Sequence, residues 1–198
     1  MPLFVETFQG STMGVERGLF MKKIRETELR FVYRDTEYLA PDEINEARDA
    51  AKLFEDVFDM SAQAQEIFCA LFLDEERHVV GIEKVAMGDV KSFQSSTHEL
   101  FKRGLLHNAS RVIVAHNHLT DTPNPSFEDV ELTWTLVHSG MFIDIQVDDH
   151  LVISNKEFYS IGMAFQMEGY SPEEDYSGEQ LKDVFQKLEE EKFSPFKI

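Results

Sequence analysis

RVIVAHNHLTDTPNPSFEDVELTWTLVHSG, residues 111 to 140, divides into three parts of different character. Val112, Ile113 and Val114 make a short β-branched run of the kind that fills a buried strand. A polar segment follows, and then an amphipathic stretch with helical spacing. Three residues able to ligate a metal stand at the junctions: His116, His118 and Asp129. His116 and His118 are two apart at the strand end, where alternate side chains point to the same side, so both imidazoles can reach one ion. Between His118 and Asp129, Pro123 and Pro125 force a stiff, extended path. Ser126 stands where a helix N-cap belongs, and Ser126-Phe127-Glu128-Asp129 is a capping-box-like start with Asp in place of Glu or Gln. Asp129 then falls in the first helical turn and can swing back over the strand end. Two histidines and one carboxylate leave a fourth zinc position for water, which is a catalytic pattern and not a closed structural one.

Working outward, Ser96 to Leu106 reads as a helix entered through a Ser96-x-x-Glu99 capping box. Upstream of it, Glu66 to Asp74 (EIFCALFLD) is a near-continuous apolar run between charges, as expected of a strand buried on both faces. Glu75-Glu76-Arg77 turns, and His78 to Val85 (HVVGIEKV) returns to complete a hairpin that Met87-Gly88-Asp89 ends. Pro41-Asp42-Glu43 opens a helix with Ile44, Ala47, Ala51, Phe54 and Phe58 on its apolar face. Glu28 to Arg34 alternates as a half-buried strand, and residues 1 to about 27 read as a flexible or partner-dependent arm. Downstream, Gly140 is expected just past the end of its helix. Ile143, Ile145 and Val147 form a strand, Asp148-Asp149 turns, and Leu151 to Ile153 forms another. From Met167 the text becomes polar and acidic. Gln180 to Lys192 then reads as a helix with Leu181, Val184, Phe185 and Leu188 on one face. That face is expected to dock on its own domain; a second copy or another partner is the alternative. The organisation is an N-terminal extension (1–40), a central α/β or α+β domain (41–166) and an acidic linker with a C-terminal helix (167–198).

Here a resemblance enters. His116-x-His118, seven residues, Ser126, two residues and Asp129 resembles the H-x-H-x7-S-x-x-D signature of JAMM (MPN+) metallohydrolases. RGLLHNASRVIVAHNH (residues 103–118), PNPSFEDVELT and DDHLVIS resemble its RadC-like branch, over roughly residues 65 to 166. A lone His-x-His would say little, whereas the full spaced set with matching flanks is specific. The resemblance implies a JAB/MPN-type, cytidine-deaminase-like mixed β-sheet flanked by helices, holding Zn²⁺ through His116, His118 and Asp129. It also implies Glu83 as general acid/base, Ser126 as a hydrogen-bond donor to the oxyanion, and a peptide or isopeptide substrate. By residue type alone Glu83 would be a solvent-facing strand acid. The sequence departs from the family at Leu119-Thr120-Asp121, where Pro-Ser-Gly is usual, and at Gly88-Asp89-Val90, where Gly-Thr-Leu is expected. The helix-hairpin-helix that precedes the domain in longer RadC proteins is not recognisable in residues 1 to 60. Asp149-His150 matches a family Asp-His at the start of a strand, which implies a structural role or one supporting the ligands; a turn is the favoured reading. His107 and His138 are expected on the surface or in packing, and Trp134 in the core.

Composition bounds the rest. Acidic residues number 37 against 19 Lys and Arg, for a formal net charge of −18. No cluster of cations offers a grip on phosphates, which disfavours direct nucleic-acid binding. No apolar run is long enough to span a bilayer, and the N-terminus lacks a signal-peptide pattern. The single Cys69 excludes a disulfide framework and suits a reducing, cytoplasmic setting, as a core residue. It also excludes the ligand set of zinc nucleoside deaminases. Two rivals to a hydrolase stay open: a RadC-like DNA-repair or mobile-element accessory protein, and a non-catalytic, metal-stabilised interaction module.

Overall fold

The computed structural model describes residues 41–88, 97–190 and 195–198. In chain order these form α1 (Ala47–Phe58), a 3-10 turn (Met60–Ala62), β1 (Ile67–Leu73), β2 (Val79–Met87), α2 (Thr97–Leu106) and β3 (Arg111–Asn117). There follow α3 (Phe127–Ile143), β4 (Gln146–Ser154), β5 (Glu157–Ser160), α4 (Ile161–Met167), α5 (Gly178–Glu190) and β6 (Phe196–Lys197). The strands make one mixed sheet in the order β2-β1-β3-β4-β5-β6. β3 and β4 run parallel and the other neighbours antiparallel. This is the mixed sheet flanked by helices that the sequence leads one to expect. The Glu28–Arg34 strand and Ser96 lie outside the described residues.

Alternation along the strands divides the core into two layers. Cys69, Leu71, Ile113, Ala115, Leu151 and Ile153 face α1, where Ala50, Ala51 and Phe54 close against them. Phe68, Ala70, Phe72, Val112 and Val114 face the opposite way, toward Leu100 and Phe101 of α2 and Leu132 and Leu136 of α3. β1 is buried along its whole length, as its apolar run requires. Cys69 is a core thiol, and burial pushes its pKa up to about 12. A third cluster joins Val130 of α3, Val152 of β4 and Phe165 of α4 to Leu181, Val184 and Leu188 of α5. The apolar stripe of the C-terminal helix is thus covered by its own chain. Among the described residues, no helix is long and apolar enough to cross a membrane.

Three local expectations change. α1 starts at Ala47 and not at Pro41, because the Ile44 amide donates to the Arg77 carbonyl (3.0 Å) and Ile44 is buried as an anchor ahead of the helix. Gly140 lies inside α3, which runs to Ile143 and ends on Asp144 in the left-handed region. Glycine is needed there for a different reason: a Cβ would sit 2.3 Å from the Ile145 carbonyl oxygen. The Asp148-Asp149 turn is instead the interior of one strand, β4, with a register shift that leaves Asp148 without a counterpart on β3. Arg111 Nη1 donates to Asp148 at 2.8 Å, and Arg77 lies 3.6 Å from it, so a bulged acid is held by two cations. β5 and α4 follow a two-residue turn at Asn155-Lys156, both at positive φ (50° and 62°), which is the hairpin geometry that matches strand twist.

Candidate metal centre

The strand β3 ends on the α2/α3 side of the sheet. Val112, Val114 and His116 alternate onto that face, so the His116 ring enters the layer where α3 begins. Ser126 caps α3: its Oγ accepts from the Asp129 amide at 3.2 Å, and Asp129 Oδ2 accepts from the Ser126 amide and hydroxyl, both at 2.7 Å. The capping box of the sequence is present with Asp as its acid. It fixes the Asp129 side chain so that Oδ2 serves the cap and lies against His118, while Oδ1 lies against His116.

Nε2 of His116 lies 3.0 Å from Nε2 of His118 and 3.1 Å from Asp129 Oδ1, and His118 Nε2 lies 3.3 Å from Asp129 Oδ2. A tetrahedral ion with bonds of about 2.0–2.1 Å spaces its ligand atoms about 3.3 Å apart, close to these values. His116 and Asp129 are fully buried, and the His118 side chain is 14% exposed. Asp129 Oδ1 is buried without a hydrogen-bond partner. A buried carboxylate oxygen that no donor satisfies, on a carboxylate lying against two imidazole nitrogens, is what a cation site requires, because buried acceptors otherwise need donors. Burial alone would raise the Asp129 carboxyl, but the facing His116 and His118 outweigh it and hold it well below the usual carboxylate range. The residues present therefore fit a divalent metal. A second acid–histidine group, Asp74, Glu76 and His78, lies at the mostly exposed β1–β2 turn, where His78 pairs with Asp74.

Further residues hold the side chains of His116, His118 and Asp129 in place. Asn117, between the two histidines, points to the other face; its Oδ1 accepts from the Ile67 amide at 2.7 Å and pins the end of β3 to the start of β1. The His118 amide donates to the Ile153 carbonyl at 2.9 Å, and Ser154 Oγ donates to the Thr120 carbonyl, so the loop after the histidines is tied to β4. Behind His116, Nδ1 lies 2.9 Å from Nε2 of His150, whose Nδ1 lies 2.7 Å from Thr133 Oγ1. His150 is fully buried, and burial followed by the nearby His116 lowers its pKa to about 3, so it is neutral. Asp149 sets the approach to His150: its carboxylate accepts from the His150 and Gly162 amides and the Ser160 hydroxyl, against a burial that pushes its pKa up to about 6. A turn is excluded at His150 because β4 runs straight through it.

Glu83 projects from β2 on the same face as His116. It pairs with Ala70 of β1, which pairs in turn with Val114, two residues before His116. Its carboxylate is held by Arg103 Nη1 and by His107 Nε2, the latter at 2.6 Å, both from α2 or its C-terminal turn. Burial would raise the Glu83 carboxyl, but these hydrogen bonds, led by His107, outweigh it and hold it below the ordinary value. His107 stacks on Phe72 with centroids 5.0 Å apart, and Gly81 makes room for it: a Cβ there would lie 2.5 Å from the imidazole. The structure thus brings His116, His118, Asp129 and Ser126 together and sets Glu83 in a separate ionic cluster outside the ligand group.

A model of the RadC-like JAB domain matches residues 44–167. The chain belongs to the RadC-like JAB-domain family. Relatives of this RadC-like domain include a UPF0758 protein of Chloroflexus aurantiacus, 34% identical over 157 residues, or 78% of this chain and 67% of that protein. A UPF0758 protein of Roseiflexus castenholzii is 36% identical over 126 residues, covering 62% and 53%. One from Herminiimonas arsenicoxydans is 39% identical over 101 residues, covering 51% and 45%. The chain spans two thirds of the first of these and about half of the other two. Within the RadC-like domain, the sequence reading missed Thr133, Asn117 and the Arg103–His107 pair, and at His150 it favoured a turn over a supporting role. Two signals were available. Thr133 stands four residues after Asp129 and so shares its helix face, and His150 directly precedes an apolar strand run.

Proposed function

We propose that this RadC-like domain is a zinc-dependent hydrolase of an amide or isopeptide bond. The observation that supports the reading most directly is the convergence of His116 Nε2, His118 Nε2 and the Asp129 carboxylate, with 3.0 Å between the two nitrogens and 3.1 and 3.3 Å from them to Oδ1 and Oδ2. When bound there, Zn²⁺ supplies a Lewis acid and an activated water. Glu83 is the proposed proton carrier: its carboxylate, ionised beside Arg103 and His107, takes up a proton and returns it to the leaving nitrogen. This role requires the side chain to turn from α2 toward the ligand end of the sheet, across about 10 Å of sheet and about 7 Å along it. Ser126 now donates its hydroxyl proton to Asp129 Oδ2, and rotating that proton toward an oxyanion would give a contact worth about 3 kcal/mol in the transition state.

The engagement of Glu83 with Arg103 and His107 favours one second reading, a non-catalytic module stabilised by its metal. Two variants separate them. Under the hydrolase reading the purified chain holds about one zinc by elemental analysis, and it cleaves a fluorogenic isopeptide. Asp129→Asn loses both, whereas Glu83→Gln keeps the zinc and loses at least about 100-fold in turnover. Zinc in the wild type with no loss of function in Glu83→Gln supports the module, and a folded wild type that holds no metal overturns both. The net charge of −18 argues against a direct DNA role, which would appear as binding that weakens steeply with salt.

A further inference from the structure

We infer that His150 and Thr133 form a tautomer-setting relay that aims the His116 Nε2 lone pair at the metal position. The inference rests on the metal site proposed above and assigns two positioning residues to it. Four groups lie in line. Thr133 Oγ1 is 2.7 Å from the Asp129 carbonyl oxygen and 2.7 Å from His150 Nδ1; His150 Nε2 is 2.9 Å from His116 Nδ1. All three side chains are buried.

Hydrogen counting decides the direction. A hydroxyl has one proton, and a carbonyl oxygen can only accept. Thr133 therefore donates to the Asp129 carbonyl, since two oxygens at 2.7 Å without a proton between them repel. Its hydroxyl oxygen is left as the acceptor for His150, so His150 carries its proton on Nδ1 and presents a lone pair on Nε2. That lone pair accepts from His116, which fixes the His116 proton on Nδ1. Nε2 of His116, facing His118 and Asp129, is then the nitrogen available as a ligand. Reversed, the chain would aim a proton at the metal position. The orientation of a ligating histidine is set by what its other nitrogen bonds.

The geometry is a closed circuit. Asp129 offers a carboxylate oxygen to the metal position and its own backbone carbonyl to the far end of the relay. Asp129 and Thr133 stand four apart on α3 and so share one face. His150 stands level with Val114 on the parallel neighbour β4, one step below His116 on the same face of the sheet. One helix and two strands thus hold ligand and relay in fixed relation.

The test uses the whole chain with ¹⁵N-labelled histidine and Zn²⁺ as the only ligand. In the metal-free wild type, long-range ¹H–¹⁵N correlation is expected to place a proton on Nδ1 of both His116 and His150. Competition against a chromophoric chelator is expected to show zinc affinity about 10–100-fold weaker in His150→Phe, which keeps the ring volume and removes the acceptor. Thr133→Val is expected to weaken affinity and scramble the His150 tautomer, and Thr133→Ser to restore both. Circular dichroism of Thr133→Val, a near-isosteric change, guards against a trivial folding defect in His150→Phe. His116 lacking a proton on Nδ1, or folded Thr133→Val binding zinc as tightly as wild type, overturns the relay. A wild type that binds no zinc yet shows the expected tautomers, lost in Thr133→Val, would sink the metal reading while the relay stands.

Discussion

Asp129 shows how one side chain can be committed twice. Its carboxylate completes a helix cap through Oδ2 and also lies against the His116 and His118 imidazoles, so its place beside the histidines was legible from spacing, and its capping role from the Ser126 pattern. Glu83 was legible only in part. Its strand could be read, but the Arg103 and His107 side chains that hold it lie 20 and 24 residues away on α2 and its C-terminal turn, beyond the reach of local pattern. That pairing has a pH signature. The neighbours hold the folded Glu83 carboxyl below its unfolded value, so its stabilisation is fully present above the unfolded value and fades as pH falls through the folded one. Glu83→Gln is therefore expected to cost about 1 kcal/mol in urea unfolding at pH 7. The deficit relative to wild type should shrink as pH falls through the folded carboxyl's lowered value and vanish once the group is protonated in both states. A deficit unchanged by acid would mean that packing, and not charge, accounts for the loss.

At the scale of elements, the hairpin β1–β2, the strand β3 and the start of α3 followed from alternation, apolar runs and capping chemistry. The misses have a common cause: local signals that tertiary contacts override. Two adjacent acids look like a turn until Arg77 and Arg111 stand beside them, and a glycine looks like a helix end until a carbonyl must pass over it. Gly140→Ala is expected to destabilise by about 2 kcal/mol or more, because its Cβ would meet the Ile145 carbonyl and α3 must shift off β4. A thermal midpoint equal to wild type would mean that the helix end yields freely. Ser126→Ala removes a cap worth about 1 kcal/mol and frees Asp129 to change rotamer, so stability and zinc retention should fall together. Loss of the first alone would uncouple cap from site.

For the molecule as a whole, periodicity reached the α/β or α+β group, because buried strands alternating with amphipathic segments need little more; the mixed sheet flanked by helices came from the family resemblance. The segment from β5 to α4 went unread because its strand is four residues long and its helix seven, too short for periodicity to register. The C-terminal helix was legible as amphipathic, and its destination only from the structure. Since Val184 and Leu188 are buried against α3 and α4, Val184→Asp is expected to cost about 2–4 kcal/mol and to raise binding of a hydrophobic dye. An unaffected melting curve would show that α5 contributes nothing to the fold. The parallel pairing of β3 with β4 has one more consequence. A chain that pairs again in the same direction must first travel back along the sheet, and the stretch from His118 to Gln146 is that return. Its two parts tolerate length changes differently. Extra residues between Leu119 and Asn124 would bulge outward and leave the histidines and Asp129 where they are. One extra residue between Asp129 and Thr133 would turn the latter by about 100° around the helix, breaking the register between ligand and relay while leaving every ligand in the chain.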